Sequence, residues 1–189
     1  MNKIRSQLRQ GARAYGVALI LTAGTMSAAT AQSAPPAPPM KVRVVDGDTF
    51  EDPSTRTVYR LAGVDACETD QRAALDGQPW PCGAVATAWL VQATLGKAVT
   101  CIPAGADAHR RILARCATQD HGDLAAAMIR AGIAVAYRYR GRPTEQAYAD
   151  LEEQARKDRK GLWQSEFEMP WEYRQRRQQR HFTGSDQPD

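Results

Sequence analysis

Lys41-Val42-Arg43-Val44-Val45-Asp46-Gly47-Asp48-Thr49-Phe50-Glu51 is the stretch whose reading decides the fold. Up to Val45, β-branched residues alternate with basic ones, the pattern of a half-buried strand. Asp46-Gly47-Asp48 is a turn signal, and Thr49-Phe50-Glu51 starts a return strand before Asp52-Pro53-Ser54 breaks it. Residues 57–62, Thr-Val-Tyr-Arg-Leu-Ala, supply a third strand. Residues 65–81 then read as a long polar loop. Residues 84–95 carry helical spacing at Val85, Ala88, Trp89 and Ala93, with Gly96 placed to cap the end.

Further along, residues 97–103 and 111–117 read as two strands joined by a loop rich in Gly, Ala and Asp. Residues 123–131 form a short helix stopped by Gly132. Residues 144–160 form a longer one, preceded by Pro143, with Ala147, Leu151 and Ala155 as its apolar stripe and Gly161 after it. Beyond Trp163 the chain is polar. Pro170 opens a last helix bearing Arg174, Arg176, Arg177 and Arg180, read as a solvated face able to add a few phosphate contacts. Five short strands with helices interleaved later predict an α+β domain, with a small closed barrel as its core.

The first forty residues differ from the rest. Lys3, Arg5, Arg9 and Arg13 precede an apolar run centred on Val17-Ala18-Leu19-Ile20-Leu21, and Ala29-Thr30-Ala31 follows as a small-x-small pattern. That is the layout of a secretory signal peptide over residues 1–31, too short in its apolar part for a comfortable membrane span. Residues 32–40 read as a Pro/Ala-rich linker, residues 41–163 as the folded domain, and residues 164–189 as a polar, partly basic tail. The net charge of +4 belongs to the leader. The 25 basic and 21 acidic residues of the chain include four basic and no acidic ones before Ala31, so the remainder is close to neutral. Overall charge therefore gives no argument for nucleic-acid binding, which has to rest on local residues.

Four cysteines, Cys67, Cys82, Cys101 and Cys116, contain no C-x-x-C pair, which disfavours structural zinc. Behind an export signal they read as two disulfides, with three pairings possible. Cys101 and Cys116 are symmetric about the loop centre near Ala108 and His109, so an antiparallel hairpin would set them opposite each other. Pairing Cys67 with Cys82 follows.

Three clusters carry chemistry: Asp46-Gly47-Asp48-Thr49; Arg60-Leu61-Ala62-Gly63-Val64-Asp65-Ala66-Cys67-Glu68; and Asp107-Ala108-His109-Arg110-Arg111. Each alone is unremarkable, a turn or a solvated loop. Together they supply hard oxygen ligands for Ca²⁺ in Asp48 and Asp65, with the Ala66 carbonyl able to complete such a site. Glu68 is placed to hold a water beside the ion. Arg60 offers a planar fork that matches a phosphate. Phosphodiester hydrolysis needs this kit: an activated water, a cation near developing charge, and donors aimed at the phosphorus oxygens.

Asp-Gly-Asp-Thr, then Tyr-Arg-Leu-Ala-Gly-Val-Asp-x-x-Glu, then the strand start at Asp107–Arg111, then Tyr137-x-Tyr139 and Lys160-Gly161-Leu162-Trp163 together resemble the staphylococcal nuclease (thermonuclease) family from about Lys41 to Trp163. The resemblance implies an OB-fold, a five-stranded barrel with three helices, and a Ca²⁺-dependent endonuclease that acts on DNA and RNA and leaves 3′-phosphate ends. It implies Asp48, Asp65 and the Ala66 carbonyl as Ca²⁺ ligands with Asp46 outside them. Glu68 would be the general base, Arg60 and Arg111 would stabilise the transition state, and Tyr137 and Tyr139 would contact the nucleotide. No stable protein partner is implied, and a monomer is expected. The compartment would be the periplasm or the exterior, with no membrane attachment after cleavage.

Two departures stand out. The family's usual Gly in the third cluster is Arg110 here, strained if that position has positive φ. The family's usual Pro between the two acids is Cys67, where a disulfide could take over the stiffening. The altered loop keeps a second reading open, a non-catalytic module binding nucleic acid or protein on the same fold. A third is an envelope protein that kept the barrel for its stability alone.

Overall fold

The structure, a computed structural model, describes residues 38–184, so the expected leader lies outside the described residues. The predicted hairpin forms. Strand β1 (Arg43–Val44) pairs antiparallel with β2 (Thr49–Asp52), setting Val44 opposite Phe50. Asp52 stays in the strand and shapes the following turn, accepting from the backbone N–H and the hydroxyl of Ser54. β3 (Thr57–Leu61) then returns along β2 with Arg60 opposite Thr49.

After β4 (Val64–Ala66) comes a hairpin of β5 (Ala73–Leu75) and β6 (Gln78–Trp80), turning through Asp76 and Gly77 at positive φ. Residues 65–81 are thus not one loop. Three-residue strands carrying Ala-Ala-Leu and Gln-Pro-Trp are too short to show a period of two. Helix α1 (Cys82–Thr94) follows, then β7 (Thr100–Ala106) and β8 (Ile112–Thr118). β7 and β8 are antiparallel, and Cys101 faces Cys116 in their ladder. β8 lies parallel to β3, so the sheet runs β1-β2-β3-β8-β7. Met40 and Val99 exchange two backbone hydrogen bonds, each 2.9 Å. This bridge joins the chain just before β1 to the chain just before β7, and it closes the curled sheet into the five-stranded barrel of an OB-fold. It also places Met40, expected in the linker, at the barrel seam.

β9 (Gly122–Asp123) extends from β8. Asp123 caps α2 (Leu124–Arg130) by accepting from the Ala126 N–H. β10 (Ala134–Ala136) pairs with β4, with Val135 opposite Asp65. A small hairpin of β11 (Arg138–Tyr139) and β12 (Arg142–Pro143) leads to α3 (Gln146–Lys157), a 3₁₀ turn (Gly161–Gln164) and α4 (Pro170–Gly184). Phe50, Leu61, Leu90, Val99, Leu124 and Met128 fill the barrel core and seat the helices on it.

Two helices match their expected apolar stripes only in part: Trp89, Ala93, Leu151 and Ala155 face the core as expected, and the remaining positions do not. α1 buries Ala86, Leu90 and Ala93, while Val85 and Ala88 face solvent. Its surface is apolar on nearly every side, so spacing offers little contrast. α3 buries Tyr148, Glu152 and Ala155, and Ala147 is exposed. Glu152 goes inward because it accepts from the Ala136 N–H at 3.0 Å and pairs with Arg138.

The larger difference is α4: the last helix expected from Pro170 forms, beside the three that the resemblance implies, but it docks on the domain and does not stand free as a polar tail. Cys67, Ala73, Cys82, Val135 and Leu162 form a second apolar cluster, and Trp80, Trp163, Phe167, Met169 and Trp171 pack on it. Trp171 brings the first turn of α4 onto this cluster, and Arg174 and Arg177 pair with residues of the domain. Residues expected as a tail therefore fold onto the domain. Both disulfides form, Cys67–Cys82 and Cys101–Cys116.

Candidate active site

Residues 46–48 make the turn between β1 and β2. The Asp46 carboxylate accepts the Asp48 N–H at 3.1 Å, the usual local device of an Asp turn. Gly47 has no room for a side chain, since a Cβ there would lie 2.8 Å from the Cβ atoms of both Ala66 and Ala86. The turn therefore packs directly on β4 and α1, and Asp48 is buried with its Oδ2 accepting the Ala66 N–H at 3.1 Å.

The β2–β3 register brings Arg60 alongside. Its Nη1 donates to Asp48 Oδ1 at 2.5 Å and its Nη2 to Asp65 Oδ1 at 2.8 Å. One guanidinium fork thus spans two buried carboxylates, a geometry a lysine could not reproduce. Asp65 is wholly buried on β4.

Glu68 lies just beyond β4, on a loop held from three sides. The Cys67–Cys82 disulfide ties it to the start of α1. Gly83 presses against it, because a Cβ at Gly83 would fall 1.8 Å from the Glu68 carbonyl oxygen. Gln71, almost fully buried, accepts the Glu68 N–H at 3.1 Å and donates to the Glu168 carbonyl at 2.7 Å. Gln71 and Gly83 were not singled out from the sequence, and no local pattern marks either one.

The third cluster forms a tight loop between β7 and β8. Asp107 Oδ1 accepts the backbone N–H groups of His109 and Arg111, and Oδ2 accepts Arg111 Nε at 2.7 Å. Burial pushes the Asp107 carboxyl up, but the Arg111 and His109 bonds outweigh it and hold the group below the usual carboxylate range. Among the described residues the two Nη groups of Arg111 carry no hydrogen bond or ion pair. Arg110 has φ 65, so the strain expected there is present.

Asp48, Arg60, Glu68, Arg111 and Tyr137 line one open cavity of about 900 Å³, together with Arg174 from α4. Asp46 and Ala66 are also at its wall, and Asp65 lies behind it. Tyr139 lies elsewhere: it is exposed, with the Arg140 guanidinium 5.3 Å from its ring centre. Arg174, read from the sequence as part of a solvated face, instead contacts Asp65 and Glu68. A separation of 106 residues from Glu68 leaves no sequence signal for that contact.

The acids have the character a hard cation needs. Burial, ahead of all else, pushes the Asp48 carboxyl up to about 7; Arg60 opposes this, while Asp46 and Asp65 add to it. With burial the chief cause, a divalent cation beside Asp48 would favour its ionised form. The donors are all oxygen, which suits Ca²⁺. Among the described residues no three His, Cys, Asp or Glu side chains gather as a ligand cluster. Asp48 and Asp65 would therefore need backbone and water oxygens to complete a shell.

The chain matches the family described as staphylococcal nuclease homologue over residues 58–165. It is similar to a micrococcal nuclease of Shigella flexneri, 32% identical over 144 residues that cover 70% of this chain and 78% of the relative. It is similar also to an uncharacterized endonuclease of Escherichia coli, 32% identical over 139 residues, 72% of this chain and 84% of the relative.

Proposed function

The chain belongs to the staphylococcal nuclease family, and from that premise we propose that it is an exported, Ca²⁺-dependent endonuclease hydrolysing phosphodiester bonds of DNA and RNA. The observation that carries the reading is the Arg60 fork across Asp48 and Asp65, in one cavity with Glu68 and Arg111.

Asp48, Asp65 and the Ala66 carbonyl would hold the ion, with Asp46 behind them. A bound Ca²⁺ would supply positive charge beside the scissile phosphate. Glu68 takes a proton from water as the water oxygen attacks phosphorus. The P–O5′ bond breaks, and the oxygen leaving with its electron pair takes a proton from solvent water to become the 5′-hydroxyl, balancing the one that Glu68 removed and later returns to solvent. The phosphate stays on the 3′ side. Arg60 and Arg111 donate to the phosphorus oxygens as negative charge gathers there, and Tyr137 lines the nucleotide's place. A positioned base accounts for about 10²–10⁴-fold of rate. The leader of residues 1–31 and the two disulfides support an extracytoplasmic location.

The test is an assay of the chain from Gln32 onward on DNA and on RNA, with Ca²⁺ and then with chelator. Cleavage of both that stops on chelation is the expected result. Binding of nucleic acid without any cleavage in Ca²⁺ would favour the non-catalytic module instead.

A further inference from the structure

Helix α4 lies beyond the residues matched to the family, 58–165, yet it sends a side chain into the cavity. Arg174 Nη2 donates to Asp65 Oδ2 at 2.7 Å. Its Nη1 is shared between Asp65 Oδ1 at 2.9 Å and Glu68 Oε1 at 2.7 Å. The two acids differ in freedom. Asp65 is buried and also held by Arg60, whereas the Glu68 side chain is 32% exposed and has three rotatable bonds. A guanidinium bonded to both makes the fixed acid an anchor for the free one. Among the described residues Glu68 Oε2 accepts nothing.

We propose that Arg174 is a positioning residue of this site, holding Glu68 against Asp65 so that its second oxygen is presented to the attacking water. The inference rests on the proposed hydrolysis and adds to it a residue from outside the matched segment. Orientation of a catalytic group is a large part of its effect, and it is lost when the carboxylate can turn freely. α4 has holds on the domain besides Arg174: Trp171 packs against the second apolar cluster, and Arg177 pairs with Asp70.

The experiment compares Arg174→Ala and Arg174→Lys with the wild-type chain. In Arg174→Ala, kcat should fall about tenfold or more with KM within about twofold, the mark of a loss confined to the transition state. Arg174→Lys keeps the charge but not the fork, and should recover only part of that rate. The second readout needs no nucleic acid. Arg174 sets a positive charge against Asp65 without using all the lone pairs of its oxygens, and that charge repels a second cation, so calorimetric titration with Ca²⁺ alone should show severalfold tighter binding to Arg174→Ala.

A wild-type kcat in Arg174→Ala would overturn the proposal. So would a lost kcat with weaker Ca²⁺ binding and a lowered unfolding midpoint, which would make Arg174 a prop for the fold. If the alanine variant does not fold, the lysine variant is judged on the same two readouts. An inactive wild-type chain would sink the proposed function instead, and the Ca²⁺ titration would then judge the Asp65 contact alone.

Discussion

Glu68 is the residue on which the proposed chemistry turns. Its backbone is fixed by Gln71 and Gly83, so a change confined to the side chain should leave the loop in place. Glu68→Gln is isosteric and cannot take a proton. Its cleavage rate should fall at least about a hundredfold with the thermal midpoint unchanged; an undiminished rate would remove Glu68 from the reaction. Arg110 poses a separate question at the same scale. A side chain at φ 65 costs energy that glycine avoids, offset in part by glycine's freer unfolded chain. With about 1–2 kcal/mol of left-handed cost relieved and about 0.4–1 kcal/mol lost through the freer unfolded chain, Arg110→Gly should raise stability by up to about 1 kcal/mol in urea unfolding. A loss of stability would mean that the arginine side chain makes a contact worth more than the strain.

Two elements meet at the Glu68 loop, the end of β4 and the start of α1, and the Cys67–Cys82 disulfide joins them. The Cys101–Cys116 bond sits within the β7–β8 ladder, where backbone hydrogen bonds already fix the register. Each bond closes a loop of 15 residues, for which the chain-entropy model gives about 3 kcal/mol. The two should nonetheless differ in their effect on activity. Replacing Cys67 and Cys82 by Ala should lower both stability and kcat, because the loop that carries Glu68 loses a tether. Replacing Cys101 and Cys116 should lower stability with kcat nearly kept. Denaturant melts beside steady-state kinetics separate the two outcomes, and equal losses of kcat would contradict this division.

For the molecule as a whole, pH acts on two sets of carboxylates with opposite sign. Asp52, bonded by Ser54, Asp120, bonded by Lys97, and Asp158, bonded by Lys160, are held below their ordinary values. Their contribution is complete above about pH 4 and is lost as pH falls through the lowered folded values. Asp48 runs the other way, since burial raises it to about 7. Between about pH 4 and pH 7 the folded protein keeps a proton there that the unfolded chain has released, so stability declines as pH rises. In chelator the thermal midpoint should therefore peak on the acid side and fall toward neutrality, and Asp48→Asn should flatten the neutral limb. A midpoint that climbs from about pH 5 to pH 7 in chelator would show that Arg60 outweighs burial at Asp48.

Local chemistry made much of this readable in the sequence. The hairpin from Lys41 to Glu51 shows because alternation and a turn signal are properties of neighbouring residues. Asp48, Arg60, Asp65 and Glu68 were nameable because they fall within 21 consecutive positions, on segments that the short β2–β3 connection must bring together. Cys101 and Cys116 were matched by hairpin symmetry alone. The buried faces of α1 and α3 were readable only in part, since one helix is apolar on most sides and the other buries Glu152 against a distant N–H. Nor were Gln71 and Arg174. Their partners are set by how α4 docks on a cluster of tryptophans and a disulfide drawn from across the domain. Periodicity and turn chemistry record what the backbone does over a few residues. Which side chain completes a pocket across 106 positions is decided by packing, and packing exists only once the chain has folded.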